Sequence, residues 1–261
     1  MFAVLAILFF AVAVVFSMLG QGGGVLYTPV QVWSGIDFHT AAANSLFLIM
    51  TMSLSSSIVF RKAKRIDWPL AIVLEIATTL GGFIGGFSSS YFSGSLLSVL
   101  FSGFVAVAGF FMVKSFRALG PARTEAFGVW QRTVGDQSYA VNMPVALPVS
   151  FAAGLVSGMV GVGGGILKVP MMVLLFGVPM EIAVGSSAFM VGMTATGGFA
   201  GHMINGHWNW KLSLFLAIAV FIGGQIGSRI SVKTDKEKLK RYFGWFLLAI
   251  AVLMLVKAFL K

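Results

Sequence analysis

Two decapeptides in this chain are near copies of each other: GQGGGVLYTP at residues 20–29 and GVGGGILKVP at residues 161–170. Both lie inside long apolar stretches. Glycine loses more freedom on ordering than any other residue, and proline lacks a backbone donor, so a triplet followed by proline does not belong in an unbroken membrane helix. Backbone that leaves the helical ladder at membrane depth survives only where protein buries it or where it lines a cavity. Matched breaks in the two halves of a chain are the sequence signature of a solute site built between them.

Composition sets the solvent. The 261 residues are 58% hydrophobic and 10% charged, with a mean hydropathy of +0.95. That excludes a soluble globular domain and predicts an all-α, polytopic integral membrane protein. Cysteine is absent, so disulfides and thiolate metal sites are excluded. The apolar start lacks a basic flank and reads as mature structure, not as a signal peptide. The net charge of +10 does not suggest nucleic acid, because the basic residues cluster between apolar segments, where they act as topology signals.

Segments of spanning length need about 20 residues. Residues 40–60, 68–92, 94–113, 182–204, 212–228 and 243–256 qualify or nearly so, and the two glycine-broken regions, 2–33 and 145–176, bring the total to eight. A displacement of 141 to 142 residues lays the first half on the second. Gly22–Gly24 fall on Gly163–Gly165, Pro29 on Pro170, Gly35 on Gly177, Ser45 on Ser187, Trp68 on Trp210, and Gly81, Gly82 and Gly85 on Gly223, Gly224 and Gly227. The expected organisation is a first transmembrane repeat at 1–117, a linker at 118–142 and a second repeat at 143–261. The Gly-xxx-Gly pairs place small residues four apart on one helix face, which lets backbones approach closely.

Charge separates parallel from inverted copies. If all eight regions cross fully, the basic residues divide 11 against 6 between the two faces. If each glycine-broken region enters and leaves by one face, each half crosses three times and the copies are inverted. The loops at 61–65, 114–132 and 229–241 then share a face with 14 basic residues, against Lys211, Lys257 and Lys261 on the other. The positive-inside rule selects the inverted arrangement in a multi-pass protein of the cell membrane, most simply a prokaryotic inner membrane, with both termini outside.

The candidate site follows from the breaks. A helix starting just after Gly22, Gly23 and Gly24, or after Gly163, Gly164 and Gly165, points free amides back at the break, and those amides and the helix dipole favour an anion. One such break reads as a packing kink; two facing breaks read as an anion cradle. Lys168, three residues past the second triplet, adds a positive charge at membrane depth, unless it snorkels to the interface. Asn44 with Ser45, and Ser186 with Ser187, are uncharged donors at equivalent positions, suited to an anion's oxygens or to interhelical hydrogen bonds. Gln21 and Gln225 are weaker candidates of the same kind. Glu75 is the proton-coupling candidate, or else the partner of a basic group. Arg229 reads as a topology or lipid contact, His39 and His207 as loop residues, and His202 as a satisfied polar contact. No catalytic residue, metal site or cofactor is expected. His202 and His207 are five apart without a following glutamate, the glycine runs fail the dinucleotide pattern, no phosphate-loop lysine follows them, and the carboxylates form no spaced pair.

These motifs together resemble the sulfite exporter TauE/SafE family, also called the toluene sulfonate uptake permease family. The resemblance rests on GQGGGVLYTP with the downstream Ala41–Ser45 run, on GMVGVGGGILKVP with Gly185-Ser186-Ser187, and on GGQIGSR at residues 223–229. It covers most of the chain apart from the linker near 118–140. It implies a permease or exporter of small anions, many of them sulfur compounds such as sulfite, sulfonates or sulfoacetate, often linked to protons. It also implies a site role for the triplets, Asn44, Ser45, Ser186 and Ser187; Gln21 is replaced by Val162 in the second copy. The expected partners are a small anionic solute and the bilayer, with no nucleic acid. The alternatives are a passive anion channel and a non-transporting membrane scaffold. The identity of the anion, the direction of transport, the coupling ion and a homo-oligomeric state stay open at this stage.

Overall fold

The computed structural model describes residues 2–113, 127–135, 137–162, 164–174 and 176–259. The described residues hold ten α-helices, a short 3-10 helix (Ser89–Tyr91) that extends the fourth of them, and one hairpin. They are α1 (Phe2–Met18), α2 (Gly24–Trp33), α3 (Phe38–Lys62), α4 (Trp68–Ser88), α5 (Gly94–Val113), the strands β1 (Val129–Val134) and β2 (Gln137–Asn142), then α6 (Met143–Val160), α7 (Gly165–Leu174), α8 (Met180–Ile204), α9 (Trp210–Ser231) and α10 (Lys236–Phe259). Among them α3, α4 with its 3-10 extension, α6, α8 and α9 are long and apolar enough to cross a membrane. Shorter apolar stretches lie at Val4–Met18, Gly94–Val107 and Leu247–Val256. Many large side chains on the outward faces are apolar, including Ile76, Leu80, Leu214 and Ile218. The interior holds Asn44, Glu75, Lys168 and His202. Polar groups inside and apolar groups outside are the distribution that a hydrocarbon solvent requires.

Local chemistry sets the element ends. Asp37 and Asp67 cap α3 and α4, accepting from the Thr40 and Leu70 amides, and Asn209 caps α9 through the Leu212 amide. Each cap satisfies one of the free amides at a helix start. Gly20 and Gly161, which follow α1 and α6, have φ of +65° and +77°. That left-handed conformation ends a helix at little cost only in glycine.

Contacts between helices fix their directions. Phe10, Val14 and Met18 of α1 lie against Gly223, Gly227 and Ser231 of α9, so these helices run parallel. Thr78 and Gly82 of α4 lie against Gly154 and Gly158 of α6, again parallel. Gly82 and Gly86 of α4 face Thr194 and Gly198 of α8. Asn44 and Ser56 of α3 bond Ser213 and Gly224 of α9. In contrast, α3 and α8 run antiparallel: Leu46 meets Gly198, and Ser53 meets Gly192 and Ala188. The Gly-xxx-Gly pairs work as helix clasps. A methyl group at Gly81 or Gly85 would strike the Phe151 or Leu155 backbone of α6, and one at Gly223 or Gly227 would strike Phe10 or Val14 of α1. Close backbone approach of this kind supplies the van der Waals contact that holds helices together in lipid.

Two ends result. One holds the α3–α4 loop, the hairpin and the α9–α10 turn, where Arg132 pairs with Asp67 and Arg65 with Glu181, and Val232 packs against the cluster around Phe60 and Ile66. The other end brings together His39, Phe38 beside Gly94, and the α8–α9 loop. The described basic loops therefore gather at one end. The expected linker contains secondary structure in its described part. Its second half forms β1 and β2, paired antiparallel from Val129 opposite Asn142 to Val134 opposite Gln137.

Candidate substrate site

The two glycine breaks meet in the interior. After Met18 the chain turns inward, and α2 starts at Gly24 beside Ile49, near the middle of α3. From there α2 runs back antiparallel to α3, with Gln31 reaching Ala41 and Ser45. At the second break α7 starts at Gly165, beside Val191 near the middle of α8. A Cβ on Gly24 would lie 2.7 Å from the Gly161 carbonyl oxygen and 2.9 Å from Val162 Cα. One on Gly165 would lie 2.8 Å from the Gly22 amide nitrogen. The triplets thus touch backbone to backbone, and only glycine fits at those contacts. Gly22, Gly23, Gly24, Gly164 and Gly165 are all buried. Gly163 lies outside the described residues.

A charged cluster adjoins the second break. Lys168 Nζ donates to Glu75 Oε2 at 2.8 Å and to Thr194 Oγ1 at 2.6 Å. Thr194 donates to Glu75 Oε1 at 2.5 Å, and Thr79 donates to the same oxygen at 3.0 Å. The Lys168 and Glu75 side chains are 3% and 4% exposed, so neither reaches an interface. The lysine does not snorkel, and the glutamate has found a basic partner. A buried pair holds only when its remaining donors and acceptors are satisfied; the two threonines do this here. Ser157 Oγ, on α6, has no hydrogen-bond partner and lies 3.4 Å from the position a Gly164 Cβ would take, with Lys168 Cε 3.5 Å from that point.

The other predicted residues are distributed differently. Asn44 donates to Gln31 Oε1 at 2.9 Å and accepts from the Asn209 amide at 3.1 Å and from Ser213 Oγ at 3.0 Å. It joins α2, α3 and α9. Ser45 accepts from Gln31 Nε2 at 3.1 Å. Ser186 accepts from the Asp67 amide at 2.9 Å, which ties α8 to the start of α4. Ser187 is buried with an unpartnered hydroxyl. Gln21 lies with Ser17, Ser53 and Ser56 around a small gap beside Gly20 and Gly22 that is too narrow for a water molecule. Gln225 holds the Ser55 carbonyl at 2.7 Å and accepts from Arg229 at 3.3 Å. His202 is buried between the Gly158 carbonyl (3.0 Å) and Ser89 (3.3 Å), as expected of a satisfied contact. His39 and His207 stack at 4.8 Å, so all three histidines meet at one end. Thr79, Thr194, Ser157 and Gln31 were missed. Single hydroxyls and amides inside apolar helices carry no periodic signal, and only the tertiary fold selects among them.

Half-length helices meeting at broken backbone inside a bundle of long apolar helices define a multi-pass membrane transporter. The chain belongs to the sulfite exporter TauE/SafE family, whose family model matches residues 5–254. It is 29% identical over 249 residues to the probable membrane transporter protein YunE of Bacillus subtilis, covering 91% of both chains. It is 26% identical to a probable membrane transporter protein of Xylella fastidiosa strain Temecula1, over 90% of this chain and 87% of that one. The sulfite exporter TauE/SafE family protein 5 of Arabidopsis thaliana is 33% identical over 103 residues, 38% of this chain and 23% of that one. No solved structure matches.

Proposed function

We propose that the protein is a secondary transporter of a small anion, most simply a sulfur-containing one such as sulfite or an organosulfonate. It works by alternating access, with two inverted homologous halves rocking about the glycine breaks. The observation that carries this reading is the contact of the two breaks at the starts of α2 and α7. There the free amides of two short helices converge beside a buried lysine, and amides with a helix dipole favour an anion. Residues 22–24 and 163–165 and Lys168 form the core of the proposed site. Asn44, Ser45 and Ser186 shape the helices around it, and Ser187 and Ser157 offer hydroxyls. Glu75 is the proton carrier. The inverted arrangement is supported by the opposed directions of α3 and α8, which hold equivalent places in the two halves.

The test is uptake of sulfite, simple alkanesulfonates and sulfoacetate into proteoliposomes, with and without a pH gradient. Saturable uptake with counterflow of at least one of these anions is expected. Absence of flux for the whole panel would reject the reading. Gly164→Leu is expected to abolish flux in a folded protein, because φ at Gly164 is +72° and a side chain there costs roughly 1–2 kcal/mol of backbone strain and fills the space beside Ser157.

A further inference from the structure

Resting on that reading, we propose that Glu75 and a singly charged anion occupy Lys168 in turn, so that one proton is taken up with each anion and the buried site stays electrically neutral. The geometry restricts the allowed states. Lys168 is buried, and its contacts are Glu75 and Thr194. Among the described residues no other charge faces the pair. α6 carries no charged residue, and α7 carries Lys168 alone. On α8, Glu181 is engaged by Arg65 at the basic end and His202 bonds Gly158 and Ser89 near the other. On α4, Asp67 lies at the cap and is engaged by Arg132. An uncompensated charge in such surroundings is costly. Lys168 with ionised Glu75 is neutral. Lys168 with an anion of charge −1 and protonated Glu75 is also neutral. Lys168 with both the anion and ionised Glu75 carries one net negative charge, and Lys168 alone carries one net positive charge.

The surroundings of Glu75 suit the exchange. An open groove of about 300 Å³ on the outward face reaches Glu75 and Thr79 and is lined otherwise by Ile72, Ile76, Leu80, Phe189 and Met193. This apolar space accepts a neutral carboxylic acid and rejects a carboxylate. On the other side of Lys168, the unpartnered Ser157 hydroxyl and the start of α7 offer donors to the incoming anion. In the exchange a proton from solution adds to Glu75 and forms its O–H bond, the carboxyl leaves Lys168, and an oxygen of the anion takes its place. Lys168 keeps its proton throughout. The reverse step returns the proton to solution when the anion departs.

The other half of the molecule carries an uncharged version of the same contact. The 141 to 142 residue displacement places Lys168 on Tyr27, Thr194 on Met52 and Glu75 on Ala217. The Tyr27 hydroxyl points at Met52 Sδ, 3.8 Å away. The architecture is thus retained on both sides, and a charge-exchange site exists on one side only. One proton per transport cycle follows from one such site.

Ethanesulfonate is the suitable probe, because its charge does not titrate between pH 5 and 9. Calorimetry on the purified wild type in two buffers of different ionisation enthalpy counts the protons taken up on binding. The expected count is one, and affinity is expected to fall as pH rises. Sulfate, a dianion, is expected to bind at least about tenfold more weakly, the ratio that 1.4 kcal/mol corresponds to. Glu75→Gln is expected to bind ethanesulfonate with no pH dependence and no proton uptake. Uptake of ethanesulfonate by wild-type proteoliposomes is expected to be insensitive to an imposed membrane potential. Ethanesulfonate binding without proton uptake by the wild type overturns the proposal whatever the variant does. If none of the sulfite, sulfonate and sulfoacetate probes binds the wild type, the anion reading itself falls, and this inference with it.

Discussion

Asn44 and Ser187 look alike in the sequence, as polar residues early in the second long helix of each half, yet they sit in opposite situations. Asn44 uses both ends of its amide, giving to Gln31 and receiving from Asn209 and Ser213. Ser187 Oγ has no partner although it is fully buried. Asn44→Ala should lower stability by on the order of 2–3 kcal/mol, since it strands buried polar groups on α2 and α9. The shift of the thermal unfolding midpoint in detergent measures this. Ser187→Ala should leave that midpoint within the error of the measurement, because it removes a group that already lacks a partner. A loss of anion affinity in Ser187→Ala with unchanged stability would mark that hydroxyl as a substrate contact; unchanged affinity would remove it from the proposed site. Sequence could nominate both residues and could not rank them, because the distinction lies in what α2 and α9 bring alongside. The glycine triplets are the converse case. That they break the helices was legible from one chain, since few backbones require three glycines and a proline at membrane depth, twice. Glu75 and Lys168 fall between. Each stood out as a rare charge inside an apolar segment, but 93 residues separate them and nothing local signals the pairing.

The element least legible in sequence is the hairpin. Residues 118–142 read as a linker because the stretch is polar and lies between two apolar halves. β1 and β2 nevertheless dock on the start of α4. Arg132 reaches Asp67 through Nε at 3.1 Å and Nη2 at 2.7 Å, and the Tyr139 hydroxyl donates to the same carboxylate. The Asp67 amide holds Ser186, so one aspartate joins the hairpin, α4 and α8 at the basic end. Burial pushes the Asp67 carboxyl up. The hydrogen bonds from Arg132, Tyr139 and the Leu70 amide outweigh it and hold the carboxyl below its usual range. A group whose folded pKa is depressed contributes stability above its unfolded pKa, about 4 for a carboxylate, and loses it as pH falls through the folded value. Docking of the hairpin is therefore expected to be full at neutral pH and to weaken only below about pH 4. Arg132→Ala leaves a buried carboxylate short of a partner and should cost about 3 kcal/mol, read as a lower unfolding midpoint at pH 7. The deficit should shrink as pH falls below about 4, where Asp67 begins to take up its proton and the pair is lost in the wild type as well. A deficit independent of pH would mean that the ion pair does not hold the hairpin.

At the scale of the whole molecule, the paired helices α1 with α9 and α6 with α4 make the same Gly-xxx-Gly clasp at equivalent residues. Each half thus holds the first helix of the other. The direction of the two halves relative to the membrane separates inverted from parallel copies, and the chain offers a clean way to read it. It contains no cysteine, so a single introduced thiol is the only one present. Lys62, at the end of α3, and Ile204, at the end of α8, are equivalent under a displacement of 142 residues, and both are exposed. Parallel copies place them on the same side of the membrane. Inverted copies place them on opposite sides, about 37 Å apart along helices of 25 residues, enough to cross a hydrocarbon core of about 30 Å. With a thiol reagent that does not cross the bilayer, applied to intact cells or to inside-out vesicles, Lys62→Cys should label from the cytoplasmic side together with Lys233→Cys. Ile204→Cys should label from the outside together with Tyr91→Cys. Labelling of Lys62→Cys and Ile204→Cys from the same side would falsify the inverted arrangement. Parallel copies would instead be related by an axis along the membrane normal, with alternating access still a rocking of one half against the other.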